Sequence, residues 1–160
     1  MLSLKENVRK FLKDARKVVV LGVGSDLRGD DVLGVRVAEK LRAFQSSKLV
    51  ILNGGTAPEN FTGDIKKQKP SHLIIVDVAE IKDCVGAIKL LDPADIGGFS
   101  FSTHALPLKI MIDFIQHEID CKVLIVAVQP KTLSFGAAVS PEVEAAAEEI
   151  VNALNGGGRI

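Results

Sequence analysis

Residues 17–24 read KVVVLGVG, a continuous apolar run that stops in glycines. A run of this kind suits a central parallel strand covered on both faces. Three more such runs are KLVILN at 48–53, HLIIVDV at 72–78 and KVLIVAV at 122–128. Residues 86–91 make a shorter strand, expected at an edge. Between the runs lie helical stripes. Leu33, Val37, Leu41 and Phe44 form one; Leu108, Met111, Ile112, Ile115 and Ile119 form another. The last helix is predicted from Ser140 as cap and Pro141 in the first turn to a stop at Asn155-Gly156. Its apolar face is Val143, Ala146, Ala147, Ile150, Val151 and Leu154. The alternation predicts an α/β single-domain three-layer sandwich: a twisted, mostly parallel five-stranded sheet with helices on both faces.

The chain has 160 residues, enough for one domain with its own core. Leu4, Val8, Phe11 and Leu12 mark a short helix, so residues 1–16 read as an N-terminal helical extension packed on the surface of the domain at 17–155. Residues 156–160 read as a flexible tail. Lys plus Arg and Asp plus Glu are 20 each, a balance that argues against nucleic-acid binding. No apolar run approaches the roughly 20 residues of a bilayer span, and no secretory signal core opens the chain. Cys84 and Cys121 form no paired motif and are expected as reduced thiols in a cytoplasmic protein.

Ligands of open parallel sheets bind beyond the carboxyl ends of the strands. The polar residues expected there are Ser25, Asp26, Arg28, Asp30 and Asp31, then Asn53 with Gly54 and Gly55, then Asp77, Gln129 and, before a helix, His104. Gly22-Val23-Gly24 hints at a dinucleotide site, but the third glycine, Gly29, is out of spacing. Three aspartates against one arginine would also repel a pyrophosphate. No P-loop and no GxSxG elbow occur. Carboxylates plus an imidazole from separate strand ends suit nickel, zinc, manganese or iron without choosing among them. Structural alternatives stand beside each residue. Asp30 is a candidate N-cap, since adjacent Asp30 and Asp31 on a helix diverge by about 100°. Asp77 could be held by backbone amides, and His104 could be a capping histidine. His72 and His117 read as structural or solvent-facing.

Several segments together resemble the hydrogenase maturation proteases. GVGSDLRGDDVLGVRVAEKL is similar to their opening strand, acidic loop and helix; NGGTAPEN to their second loop; HLIIVDVAE to the strand carrying an aspartate, here Asp77; FSTHALPL to the segment carrying a histidine, here His104. VQP at 128–130 is similar to a turn of the hydrogenase 3-type branch. Ser25 stands where the family usually has Asn, and Asn53 where it usually has Asp, so a catalytic acid at 53 is in doubt. The resemblance implies an endopeptidase that removes the C-terminal extension of a nickel-iron hydrogenase large-subunit precursor after nickel insertion. It implies metal contact by Asp31, Asp77 and His104, which are also the catalytic candidates. Nickel would come with the precursor, and zinc or cadmium could stand in for it. Asp30, Gly54, Gly55 and Gln129 are expected to meet substrate, and the protein is expected as a monomer. A metallo-type and a paired-carboxylate mechanism both remain open. So do a nickel-binding chaperone or sensor and a flavodoxin-like ligand binder, although the chain lacks the Trp and Tyr that often stack on flavins.

Overall fold

The computed structural model describes residues 1–101 and 105–157. In chain order the elements are α1 (Leu4–Phe11), β1 (Val18–Val23), α2 (Leu33–Leu41), β2 (Leu49–Gly55), α3 (Thr62–Gln68), β3 (His72–Glu80), β4 (Ile88–Leu91), β5 (Ser100–Phe101), α4 (Ala105–Glu118), β6 (Lys122–Val128) and α5 (Pro141–Gly157). The sheet runs β2-β1-β3-β6-β4. Its first four strands are parallel and in step, with Val18 beside both Leu49 and His72, and His72 beside Lys122. β4 closes one edge antiparallel to β6.

A sixth strand departs from the five expected. β5 is two residues long and pairs antiparallel with the end of β3, Phe101 opposite Ala79. Two residues carry no readable periodicity, which is why the sequence does not announce it. α5 also continues to Gly157, past the stop expected at Asn155-Gly156. Helix ends of this kind are set by local backbone geometry more than by composition.

Strand alternation divides the core in two. Val18, Val20, Ile74, Val76 and Val126 meet α1, α2 and α5 on one face. Val19, Leu21, Leu73, Ile75 and Ile125 meet α3 and α4 on the other. β1 is buried along its whole length and β3 up to Ala79, as strands covered on both faces must be.

One contact sets how α2 sits. Gly34, in its first turn, lies against strand backbone: a Cβ there would fall 2.2 Å from the Val23 carbonyl oxygen and 2.4 Å from that of Val76. A Cβ on Gly22 would fall 2.1 Å from the Gly34 carbonyl oxygen. Only glycine allows backbones this close. Ion pairs Arg36–Glu144 and Lys40–Glu148 then join α2 to α5.

At the opposite end of the sheet the N-terminal extension is pinned. Ser3 and Glu6 cap α1 reciprocally, at 3.1 and 2.8 Å, and Val8 is buried. His72 is buried, edge-on to Phe11 at 5.0 Å, with Nε2 3.2 Å from Asp14 and Nδ1 2.9 Å from the Ser71 hydroxyl. It is therefore a structural histidine, whereas His117 is exposed.

Two outcomes follow for stability. Gly34→Ala should lower the denaturant-derived stability by about 3 kcal/mol through overpacking; an unchanged midpoint would show that α2 can lift off the sheet freely. Burial is the main cause that lowers the His72 pKa below its ordinary 6.5. The unfolded chain then binds the proton more tightly, so this contribution is complete above pH 6.5 and is lost as pH falls through the lowered native value. A His72→Gln variant should lose less stability between pH 7 and 5 than the wild type, and parallel losses would contradict this.

Candidate active site

The Gly34 contact carries the chain just before it to the carboxyl ends of β1 and β3. Between β1 and α2 the residues Gly29–Val32 form a 3-10 turn that packs against β3. Asp31 lies in this turn, only 3% exposed. Its backbone is clamped on both sides: the Ser25 N–H donates to the Asp31 carbonyl at 3.1 Å, and the Asp31 N–H donates to the Arg28 carbonyl at 3.1 Å. Gly24 makes room for this (φ +148°), since a Cβ there would sit 1.9 Å from the Asp31 carbonyl oxygen.

Asp77 comes from β3, in register with Ala127 of β6. It is fully buried, and its Oδ1 accepts the Val78 N–H at 2.8 Å. Leu73, Ile75 and Ala79 point to the α3–α4 side, so alternation puts Asp77 on that side too. Gly34 touches the carbonyl of Val76, the residue before Asp77, and Asp31 is one helical turn upstream of Gly34. The two carboxylates thus belong to one edge of the sheet. His104 lies outside the described residues. On either side of it, Phe101 pairs with Ala79 and α4 begins at Ala105.

Asp30 does different work from its neighbour. Fully buried, it accepts backbone N–H groups of Lys131 at 2.7 Å, Thr132 at 3.4 Å and Ser140 at 2.6 Å, and the Ser140 hydroxyl at 2.8 Å. Its own N–H donates to the Thr132 carbonyl at 3.0 Å. A charge can be buried when it is surrounded by donors in this way. Asp30 therefore ties the loop after β6, and the start of α5, to the loop carrying Asp31. The Ser140 hydroxyl, read from sequence as a helix cap, is given to this carboxylate.

Gln129 is 5% exposed and also faces inward. Its Oε1 accepts the Ile81 N–H at 2.8 Å, while Nε2 donates to Glu80 at 2.8 Å and the Pro130 carbonyl at 3.2 Å. At the end of β2, a Cβ on Gly54 would press on Leu21 at 2.9 Å, whereas around Gly55 (φ +54°) the space is open. The Gly55 carbonyl accepts the Gly24 N–H at 2.9 Å, linking this loop to β1. Asn53 uses its side-chain oxygen locally, for the Gly55 N–H at 3.1 Å. The partners of Asp30 in residues 131–140 are the ones sequence reasoning missed; they lie some hundred positions away and bond mainly through backbone, which leaves no pattern of residue types.

Cys121 does not stand in for a nucleophile. Both cysteines are free thiols, and burial pushes the Cys121 thiol up to about 11, with Asp120 adding to the effect. A thiol at that value is uncharged at neutral pH.

The family model for hydrogenase maturation protease, HycI, matches residues 35–156. The chain belongs to the hydrogenase maturation protease family. A Methanocaldococcus jannaschii protein provisionally described as such a protease is 36% identical over 159 residues, covering 94% of each chain. The hydrogenase 3 maturation protease of Escherichia coli is 34% identical over 139 residues, covering 86% of this chain and 88% of that one. Among solved structures, the NiFe hydrogenase maturation protease HycI from Thermococcus kodakarensis superposes with a TM-score of 0.87 at 28% identity, over 94% of this chain and 97% of that one.

As a hydrogenase maturation protease, the chain offers a hard, oxygen-rich donor set at this edge. Among the described residues no three His, Cys, Asp or Glu side chains are grouped to hold a metal ion by themselves.

Asp30→Asn would turn an amide NH2 toward donors that now meet a carboxylate. Its expected cost is about 3 kcal/mol of folding stability, read as a lowered melting temperature. Ser140→Ala, losing one donor, should cost about 1 kcal/mol. Equal, negligible losses would show that the two loops do not depend on Asp30.

Proposed function

We propose that this protein is an endopeptidase that cuts the C-terminal extension from a nickel-iron hydrogenase large-subunit precursor, with its site at the edge carrying Asp31 and Asp77. The observation that carries the reading is the pair of buried carboxylates at the ends of β1 and β3, in a chain of this family. Ligands of open parallel sheets bind at the carboxyl ends of the strands, so the shared place of these two carboxylates at that edge points to use. Asp30, next to Asp31, has the structural role instead.

In this reading nickel arrives as part of the substrate. Asp31, Asp77 and His104 contact it, so cleavage depends on a loaded precursor. The placement of Asp77 on the α4 side, and of Phe101 beside Ala79, supports His104 as the third contact, because the chain must pass near β3 immediately before residues 102–104. Metal bound to substrate there would polarise the scissile carbonyl and acidify a water, with zinc or cadmium able to take the same donors. A carboxylate is the base that removes the proton of the attacking water. Asp31, clamped through its backbone by Ser25 and Arg28, is the better-positioned of the two. The open backbone at Gly55 gives an extended substrate strand room to approach. Gly54, Asp30 and Gln129 contribute by holding the loops around it.

The test is cleavage of nickel-loaded precursor followed by mass spectrometry. Asp31→Asn and Asp77→Asn should each leave the wild-type fold, judged by circular dichroism, and reduce cleavage by a factor of about 1,000 or more. Wild-type rates from either variant would remove that carboxylate from the mechanism.

A further inference from the structure

Resting on the endopeptidase reading, we propose that Gln129 is a positioning residue for the cleavage rather than a substrate contact: its side-chain amide takes the place of one more residue of β6 and holds the end of β3 beside Asp77. The parallel ladder between β3 and β6 ends with Val78 beside Val128, one residue past Asp77. β1 leaves β3 earlier, after Val76. Yet β3 runs on to Glu80, and β5 pairs with its Ala79 and Glu80. Asp77 thus lies where the strand passes from its parallel partners into an overhang.

The backbone of β6 cannot follow that overhang. Gln129 turns both its backbone groups toward the lead into β4: its N–H donates to the Ala87 carbonyl at 3.0 Å, and its carbonyl accepts the Gly86 N–H at 2.8 Å. Backbone groups alternate sides along a strand, so residue 130 is the next to face β3. It is a proline, with no N–H to give. The Gln129 side chain fills that role. Its Oε1 accepts the Ile81 N–H at 2.8 Å, and its Nε2 donates to Glu80 at 2.8 Å and to the Pro130 carbonyl at 3.2 Å. One acceptor and two donors on a single planar group are what a carboxamide offers and a carboxylate or an alkyl chain does not.

The turn that follows needs such a hold. Lys82 has φ +57°, a left-handed backbone that side chains disfavour, and its N–H donates to the other oxygen of Glu80 at 3.2 Å. Releasing Ile81 would let the overhang fray back toward Val78, whose N–H donates to the Asp77 Oδ1 at 2.8 Å. Gln129 is 5% exposed, so water does not freely replace its bonds when the amide is removed.

The experiment joins kinetics to amide exchange. Cleavage of nickel-loaded precursor is measured for Gln129→Leu, Gln129→Glu, and Gln129→Glu combined with Glu80→Gln. Each is assayed where circular dichroism shows it fully folded, and hydrogen exchange is followed at Val78 and Ile81. Gln129→Leu offers nothing to Ile81, and Gln129→Glu sets a carboxylate against Glu80. Each should lower kcat about tenfold or more, with KM within about twofold, and both amides should exchange faster. The double variant restores an acceptor for Ile81 and a donor between positions 80 and 129, and should recover much of kcat. Val8→Ala, in the buried part of α1 at the far end of the sheet, should lower the melting temperature and leave kcat alone. Wild-type kcat in Gln129→Leu, no recovery in the double variant, or an equal kcat loss from Val8→Ala would overturn the positioning role and leave the endopeptidase reading intact. A wild type that leaves the loaded precursor uncut would sink that reading and this role with it.

Discussion

The close contact between Gly34 of α2 and the backbones of β1 and β3 is the constraint on which the rest depends. A methyl group at Gly34 or Gly22 would overlap backbone oxygen. Because the helix rests directly on the strands, the turn leading into it, Gly29–Val32, is held down at their carboxyl ends. Asp31 is thereby presented from α2 to the same edge where β3 delivers Asp77. Asp31, on the turn that leads into the helix, keeps its place because the helix rests on the strands.

A second layer of constraint comes from Asp30. Its carboxylate gathers N–H groups from the loop between β6 and α5, up to the start of that helix, so two loops become one assembly. The adjacent aspartates therefore divide the labour. Asp30 faces into the protein and pairs fully with donors, leaving Asp31 to the edge. Such backing lets a side chain sit on a loop and still be held to one geometry.

Much of this was legible in the sequence. The apolar runs at 17–24, 72–78 and 122–128 each became a buried parallel strand, and the run at 86–91 contains the antiparallel edge strand. The placement of Asp31 beyond β1 and of Asp77 near the carboxyl end of β3 follows from the parallel sheet itself. What could not be read was two-residue β5, too short for any period, and the web around Asp30, which depends on backbone donors brought from far along the chain. Gln129 shows a similar limit. Its position at a strand end suggests a substrate contact, yet its amide is spent bracing Glu80, Ile81 and Pro130. His104 lies outside the described residues, so the expectation for it rests on the family resemblance.

The most direct measurement is a side-by-side digestion of nickel-loaded and nickel-free hydrogenase large-subunit precursor by the purified protein, with products weighed by mass spectrometry. The account predicts loss of a single C-terminal peptide from the loaded form alone. Cleavage of both forms would contradict the role given to nickel at the Asp31–Asp77 edge, and an intact, competent loaded precursor would contradict the endopeptidase itself.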